Sequence, residues 1–105
     1  MDHPNLNYIE DLSGGELIFK DKLTAIIKAE FPEEKAAYLH TFQSKNYKKT
    51  AEIVHKIKNK ISMLGMQNAY LLAQNYEEDL KIDLIDRQED FLHVLDQMSQ
   101  FINNL

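Results

Sequence analysis

Residues 47–65 read Tyr47-Lys48-Lys49-Thr50-Ala51-Glu52-Ile53-Val54-His55-Lys56-Ile57-Lys58-Asn59-Lys60-Ile61-Ser62-Met63-Leu64-Gly65. Apolar side chains fall at Tyr47, Ala51, Val54, Ile57, Ile61 and Leu64, in steps of three and four. That spacing is one face of an amphipathic helix. Gly65 follows the last of them, where glycine commonly ends a helix. The same period continues downstream. Ala69, Leu72, Ala73, Tyr76 and Leu80 form one stripe, and Leu84, Phe91, Leu95, Met98, Ile102 and Leu105 form the last, with Asp83 as its expected cap.

Upstream, Ser44-Lys45-Asn46 reads as a turn, and Ala36, Leu39 and Phe42 as a helix face. Pro32 is expected to end one helix and open the next. The helix before it carries Phe19, Leu23, Ile26 and Ile27. Ser13-Gly14-Gly15-Glu16 breaks the chain again, with Ser13 as the expected N-cap and Glu16 three residues on. Leu6, Ile9 and Leu12 mark a short first helix. No segment alternates with period two. The expected fold is all-α: an antiparallel up-down four-helix bundle with a short extra N-terminal helix and a long C-terminal helix.

The 105 residues suit one domain, 1–105, with one core. Hydrophobic residues make up 44% and charged residues 28%, a globular rather than a disordered balance. Three glycines and two prolines are too few to punctuate a many-stranded β protein. The chain has no cysteine, which excludes disulfides, a thiol nucleophile and thiolate metal sites. A net charge of -5 argues against a nucleic-acid partner. The first residues, Met1-Asp2-His3-Pro4, have neither the basic start nor the apolar run of a signal peptide, and no stretch approaches a membrane span. A cytoplasmic protein is expected, without a membrane partner and monomeric.

Of four histidines, His3 lies near the terminus, and His40 and His93 stand without a charged cluster at helical spacing. His55 differs. It follows Val54 and so lies about 100° round the helix from a core position. Glu52, Lys58, Asn59 and Ser62 share its face at helical spacing. Six lysines and one acid, Glu52, fill Lys45–Lys60 in a chain that is acidic overall, and Lys48, Lys56 and Lys60 are expected to be solvated. Zinc would need further ligands, and lysines repel it. A serine triad fails because Ser62 is two turns from His55. Phosphoryl chemistry fits better: an accessible imidazole is a nucleophile near neutral pH, and a neighbouring ammonium meets phosphate oxygens. Helical spacing alone describes as well a solvated basic face with one histidine in it.

The run Val54 to Met66 resembles the signature of the histidine-containing phosphotransfer (HPt) family: a His, a Lys three positions later, and a Leu-Gly about ten positions after the His. A Leu-Glu-like pair on the next helix reads Tyr76-Glu77. Tyr8-Ile9-Glu10-Asp11-Leu12-Ser13-Gly14-Gly15 and the acidic break Pro32-Glu33-Glu34 are similar to the family's upstream part, so the likeness covers nearly the whole chain. Position 59 is Asn where the family usually has Gly, and Val54 stands for the common Ala. Asn59 either crowds the site or donates its amide to a phosphoryl group.

The resemblance implies a free-standing, single-domain bacterial phosphotransfer protein in a two-component multistep phosphorelay. His55 would accept a phosphoryl group from a receiver-domain aspartate and pass it to another. Lys58 would steady the phosphoryl oxygens, with Asn59 and Ser62 lining the site. The partners implied are receiver domains of response regulators or hybrid sensor histidine kinases. No cofactor is implied, Mg²⁺ belonging to the receiver. The chain would be a phosphoryl carrier without a kinase activity of its own, and it carries no P-loop. The alternative is a non-catalytic helical adaptor that docks a receiver or another signalling partner. A weaker one is a basic face for acidic polymers or lipid headgroups.

Overall fold

A computed structural model describes residues 2–105. Among them the regular structure is entirely helical: α1 Asn7–Ser13, α2 Leu17–Gln43, α3 Tyr47–Met63, α4 Gln67–Lys81 and α5 Gln88–Asn103. The long helices α2 to α5 pack around one core. α3 lies most extensively against α4 and against α2, while α5 contacts both α4 and α2. α1 packs on α2 and places Ile9 fully inside. No helix is long and apolar enough to cross a membrane, among the described residues.

Pro32 does not divide α2. The segments expected as two helices form one of 27 residues. An interior proline removes one amide donor and crowds the carbonyl four residues back, a cost of about 3 kcal/mol. Its fixed φ is nevertheless helical, and Pro32 lies on the exposed side, where that carbonyl can be hydrated. On the opposite side Ile27, Phe31 and Tyr38 are buried. Each such side chain contributes roughly 1.5–3 kcal/mol, so packing outweighs the local penalty. At about 1.5 Å per residue α2 is some 40 Å long, close to the 43 Å long axis of the molecule. α2 is therefore the longest element, and the C-terminal helix, expected to be long, has 16 residues.

Other local expectations also change. Ser13 is the last turn of α1 rather than a cap of α2, and its hydroxyl donates to the Glu10 carbonyl at 3.0 Å. Gly14 and Gly15 both take positive φ in the turn that follows. Asp83 does not cap the last helix. It adopts φ 62° just after α4, and Arg87 occupies the cap position of α5. Arg87 pairs with Asp79 across that turn. Leu12, Phe19, Ile26, Ala36, Leu39 and Leu84 were expected in apolar stripes and are exposed.

The α3–α4 corner is tied by the N-terminal segment. Asn5 N–H donates to the Leu64 carbonyl at 2.9 Å, and Asp2 Oδ2 accepts from Ala69 N–H at 2.8 Å in the first turn of α4. Gly65 takes φ 73°, and a Cβ there would stand 2.9 Å from the Asn5 side chain. Inside, Tyr38 and Tyr76 share a 2.7 Å hydroxyl hydrogen bond beside Phe91. Burial raises the Tyr38 phenol above its ordinary range and pushes Tyr76 up to about 12. Lys60, expected to be solvated, is buried instead. Its ammonium bonds Glu30 at 2.6 Å and Glu34 at 3.0 Å, tying α3 to α2. Burial lowers its proton affinity, but the two carboxylates more than compensate, and the net shift is upward.

Candidate functional site

The interface of α3 and α4 determines what the site presents. On α3, Ala51, Val54, Ile57 and Ile61 turn inward. On α4, Ala69, Ala73, Tyr76 and Leu80 do the same. The alanines keep the two helices close. His55 is one position past Val54, and Glu77 one past Tyr76, so both fall at the edge of the shared face. Their side chains meet there. His55 Nδ1 lies 3.3 Å from Glu77 Oε1 and 3.2 Å from Oε2.

Glu77 is the hub of the site. Its side chain is only 12% exposed, and Lys58 Nζ reaches its Oε1 at 3.1 Å. Lys81, one turn further along α4, brings Nζ to 3.9 Å from Oε2. A nearly buried carboxylate needs such partners to remain charged without a large desolvation cost. Lys58 is itself 12% exposed, and its ammonium sits 5.5 Å from the centroid of the Tyr70 ring. That cation–π contact helps hold it between α3 and α4.

His55 contrasts with its neighbours, with its side chain 58% exposed. A carboxylate accepts hydrogen bonds and does not donate them, so Nδ1 is the protonated nitrogen of the neutral ring. The lone pair is then on Nε2, across the ring from Glu77. The imidazole is held at one nitrogen and nucleophilic at the other. It opens on a groove of about 420 Å³ lined by Lys48, Ala51, Glu52, His55, Lys56, Glu77 and Lys81. Three ammonium groups around one histidine suit an anionic reactant.

Of the four residues expected from sequence, His55 and Lys58 converge on Glu77. Asn59 is exposed one turn further along α3. Ser62 stands apart, about 10 Å along the helix axis from His55. It lines a separate cavity of about 440 Å³ with Tyr8, Gly65, Met66, Gln67, Tyr70 and Leu71. Sequence reasoning named Glu77 as half of a motif pair but did not foresee that it joins His55 to Lys58. It missed Lys81 and Tyr70. The signal for Lys81 was present, because Glu77 and Lys81 are four apart on one helix face.

No protein-family model, no curated protein and no solved structure matches the chain.

Proposed function

We propose that the protein is a histidine phosphotransfer protein of HPt type, with α2 to α5 as an antiparallel four-helix bundle and His55 as the phosphoryl acceptor. The closed set of helix contacts and the short connections between helices support the bundle. The observation that carries the function is the tethered, exposed imidazole: Nδ1 on Glu77, Nε2 free to attack on a ring more than half in solvent.

The donor is the acyl phosphate of a receiver aspartate. The Nε2 lone pair forms the N–P bond as the P–O bond to the aspartate breaks, and the aspartate leaves with the electron pair as a carboxylate. No proton moves. Nδ1–H stays on Glu77, whose negative charge offsets the positive charge the ring acquires. The reverse sequence delivers the group to a second receiver carboxylate. Such a loose transition state asks for positioning and charge compensation rather than acid–base groups. Lys58 fixes Glu77 and keeps a positive charge against it. The receiver supplies the divalent cation, and this chain works without a cofactor of its own.

The test is transfer from receiver domains encoded beside this chain, charged with acetyl phosphate. The wild type is expected to take up acid-labile, base-stable label, and His55→Gln to take up none. Absence of label on the wild type, or equal label on His55→Gln, overturns the reading. Receiver binding that survives His55→Gln without any label would point to a docking adaptor instead.

A further inference from the structure

We infer that Lys81 is a catalytic residue of this site: its ammonium contacts the oxygens of the phosphoryl group during transfer to His55, while Lys58 stays on Glu77. The inference rests on the phosphotransfer reading and adds a residue to it.

Lys58, Lys56 and Lys81 are placed differently about the imidazole. Lys58 is committed. It is 12% exposed, bonded to Glu77 Oε1 at 3.1 Å and set against Tyr70. Drawing it toward a ligand would strip a nearly buried carboxylate of its closest cation, which is costly. Lys56 follows His55 directly and also borders the acidic cavity of Glu30, Glu33 and Glu34 on the α2 side. Lys81 is 50% exposed, and it projects from α4, the wall opposite the one that carries His55.

Two contacts fix where Lys81 acts. Its Nζ lies 3.9 Å from Glu77 Oε2, the same oxygen that His55 Nδ1 approaches at 3.2 Å. The ammonium and the ring therefore share one anchor atom, and both border the same groove. Its shorter contact, 3.1 Å to Glu78 Oε1, is with a carboxylate that is 68% exposed. Exposed pairs of that kind hold weakly, so Lys81 can turn from Glu78 to a more highly charged partner. A phosphoryl group in flight carries that charge on three equatorial oxygens. Lys81 donates N–H bonds to them while the N–P bond forms and the donor P–O bond breaks. It gives up no proton, and the leaving electron pair still goes to the aspartate carboxylate.

The experiment compares wild type, Lys81→Ala, Lys81→Arg and Lys58→Ala, using an acetyl-phosphate-charged receiver that labels the wild type. Receiver is varied to saturation, so that transfer rate and receiver affinity are read separately. Removing one charged donor at the reacting group should lower the saturating rate of Lys81→Ala by about tenfold or more, with affinity little changed. Lys81→Arg should keep most of the rate, because charge and donors persist. Three results overturn the inference: a Lys81→Ala rate within about twofold of wild type, a loss confined to receiver affinity, or an equal loss in Lys81→Arg. Lys81 is half exposed, so folding is not at stake, and far-ultraviolet circular dichroism checks it. A wild type that takes no label from any receiver defeats the phosphotransfer reading itself, and that outcome is distinct from these three.

Discussion

At the scale of single residues, the site depends on a division of labour among polar side chains that differ in exposure. Glu77 and Lys58 are nearly buried and bonded to each other. His55 is exposed but tied at Nδ1. Replacing Glu77 with Gln keeps the shape and removes the charge, so the pull on Nδ1–H weakens and Lys58 loses its counter-ion. Nitrogen-15 chemical shifts of His55 should report one dominant tautomer in the wild type, protonated at Nδ1. In Glu77→Gln they should report a mixture, with transfer about tenfold slower or more. An unchanged tautomer and an unchanged rate would remove Glu77 from the chemistry. His55 and Lys58 were legible from spacing, since three residues on a helix is a neighbour distance. Their convergence on one carboxylate was not, because it depends on how α4 is rotated against α3.

At the scale of elements, the α3–α4 corner tests local reasoning most sharply. Gly65 ends α3 as expected, but two effects demand glycine there. The backbone is left-handed at φ 73°, and Asn5 occupies the space a Cβ would need. Gly14 has the first constraint without the second, since nothing lies within 4 Å of its Cβ position. Gly65→Ala should therefore cost about 2–3 kcal/mol and Gly14→Ala only about 1 kcal/mol in urea unfolding. Equal costs would mean that the Asn5 side chain swings aside to admit the Cβ while its backbone bond to Leu64 persists. The Asn5 contact joins residues 60 apart, so no periodicity could announce it. Pro32 failed as a helix stop for a related reason. Its penalty is local and visible in sequence, whereas the burial of Ile27, Phe31 and Tyr38 that outweighs it is tertiary. Leu17, Ile18 and Phe19, at the start of α2, stay exposed.

At the scale of the whole molecule, the core contains ionisable groups whose protons are held more tightly than in the unfolded chain. Burial raises Tyr38 and Tyr76, and the pair of glutamates raises Lys60. Above about pH 10 an unfolded chain releases these protons while the folded one keeps them. The folded state then binds more protons, so stability falls as pH rises. Below that range the three groups contribute no pH dependence. Urea midpoints should drop between about pH 10 and 11.5, and Tyr38→Phe/Tyr76→Phe should show a shallower drop, because removing both partners of the hydroxyl pair leaves neither unsatisfied. A midpoint flat across that range would contradict the buried hydroxyl pair and the Lys60 cluster together. The all-helical class was readable from stripes that step mostly by three and four, together with too few glycines and prolines for many strands. Lys60 was misread because a lysine on a basic stretch looks solvated until a second helix brings Glu30 and Glu34 to it.

In the proposed mechanism His55 takes a phosphoryl group at Nε2 while Glu77 keeps the proton on Nδ1. Nitrogen-15 and phosphorus-31 NMR of the protein charged by a phosphorylated receiver tests it most directly. A single phosphohistidine is expected, with phosphorus–nitrogen coupling at Nε2 of His55. A phosphoryl group on Nδ1, on any other residue, or on none would contradict it.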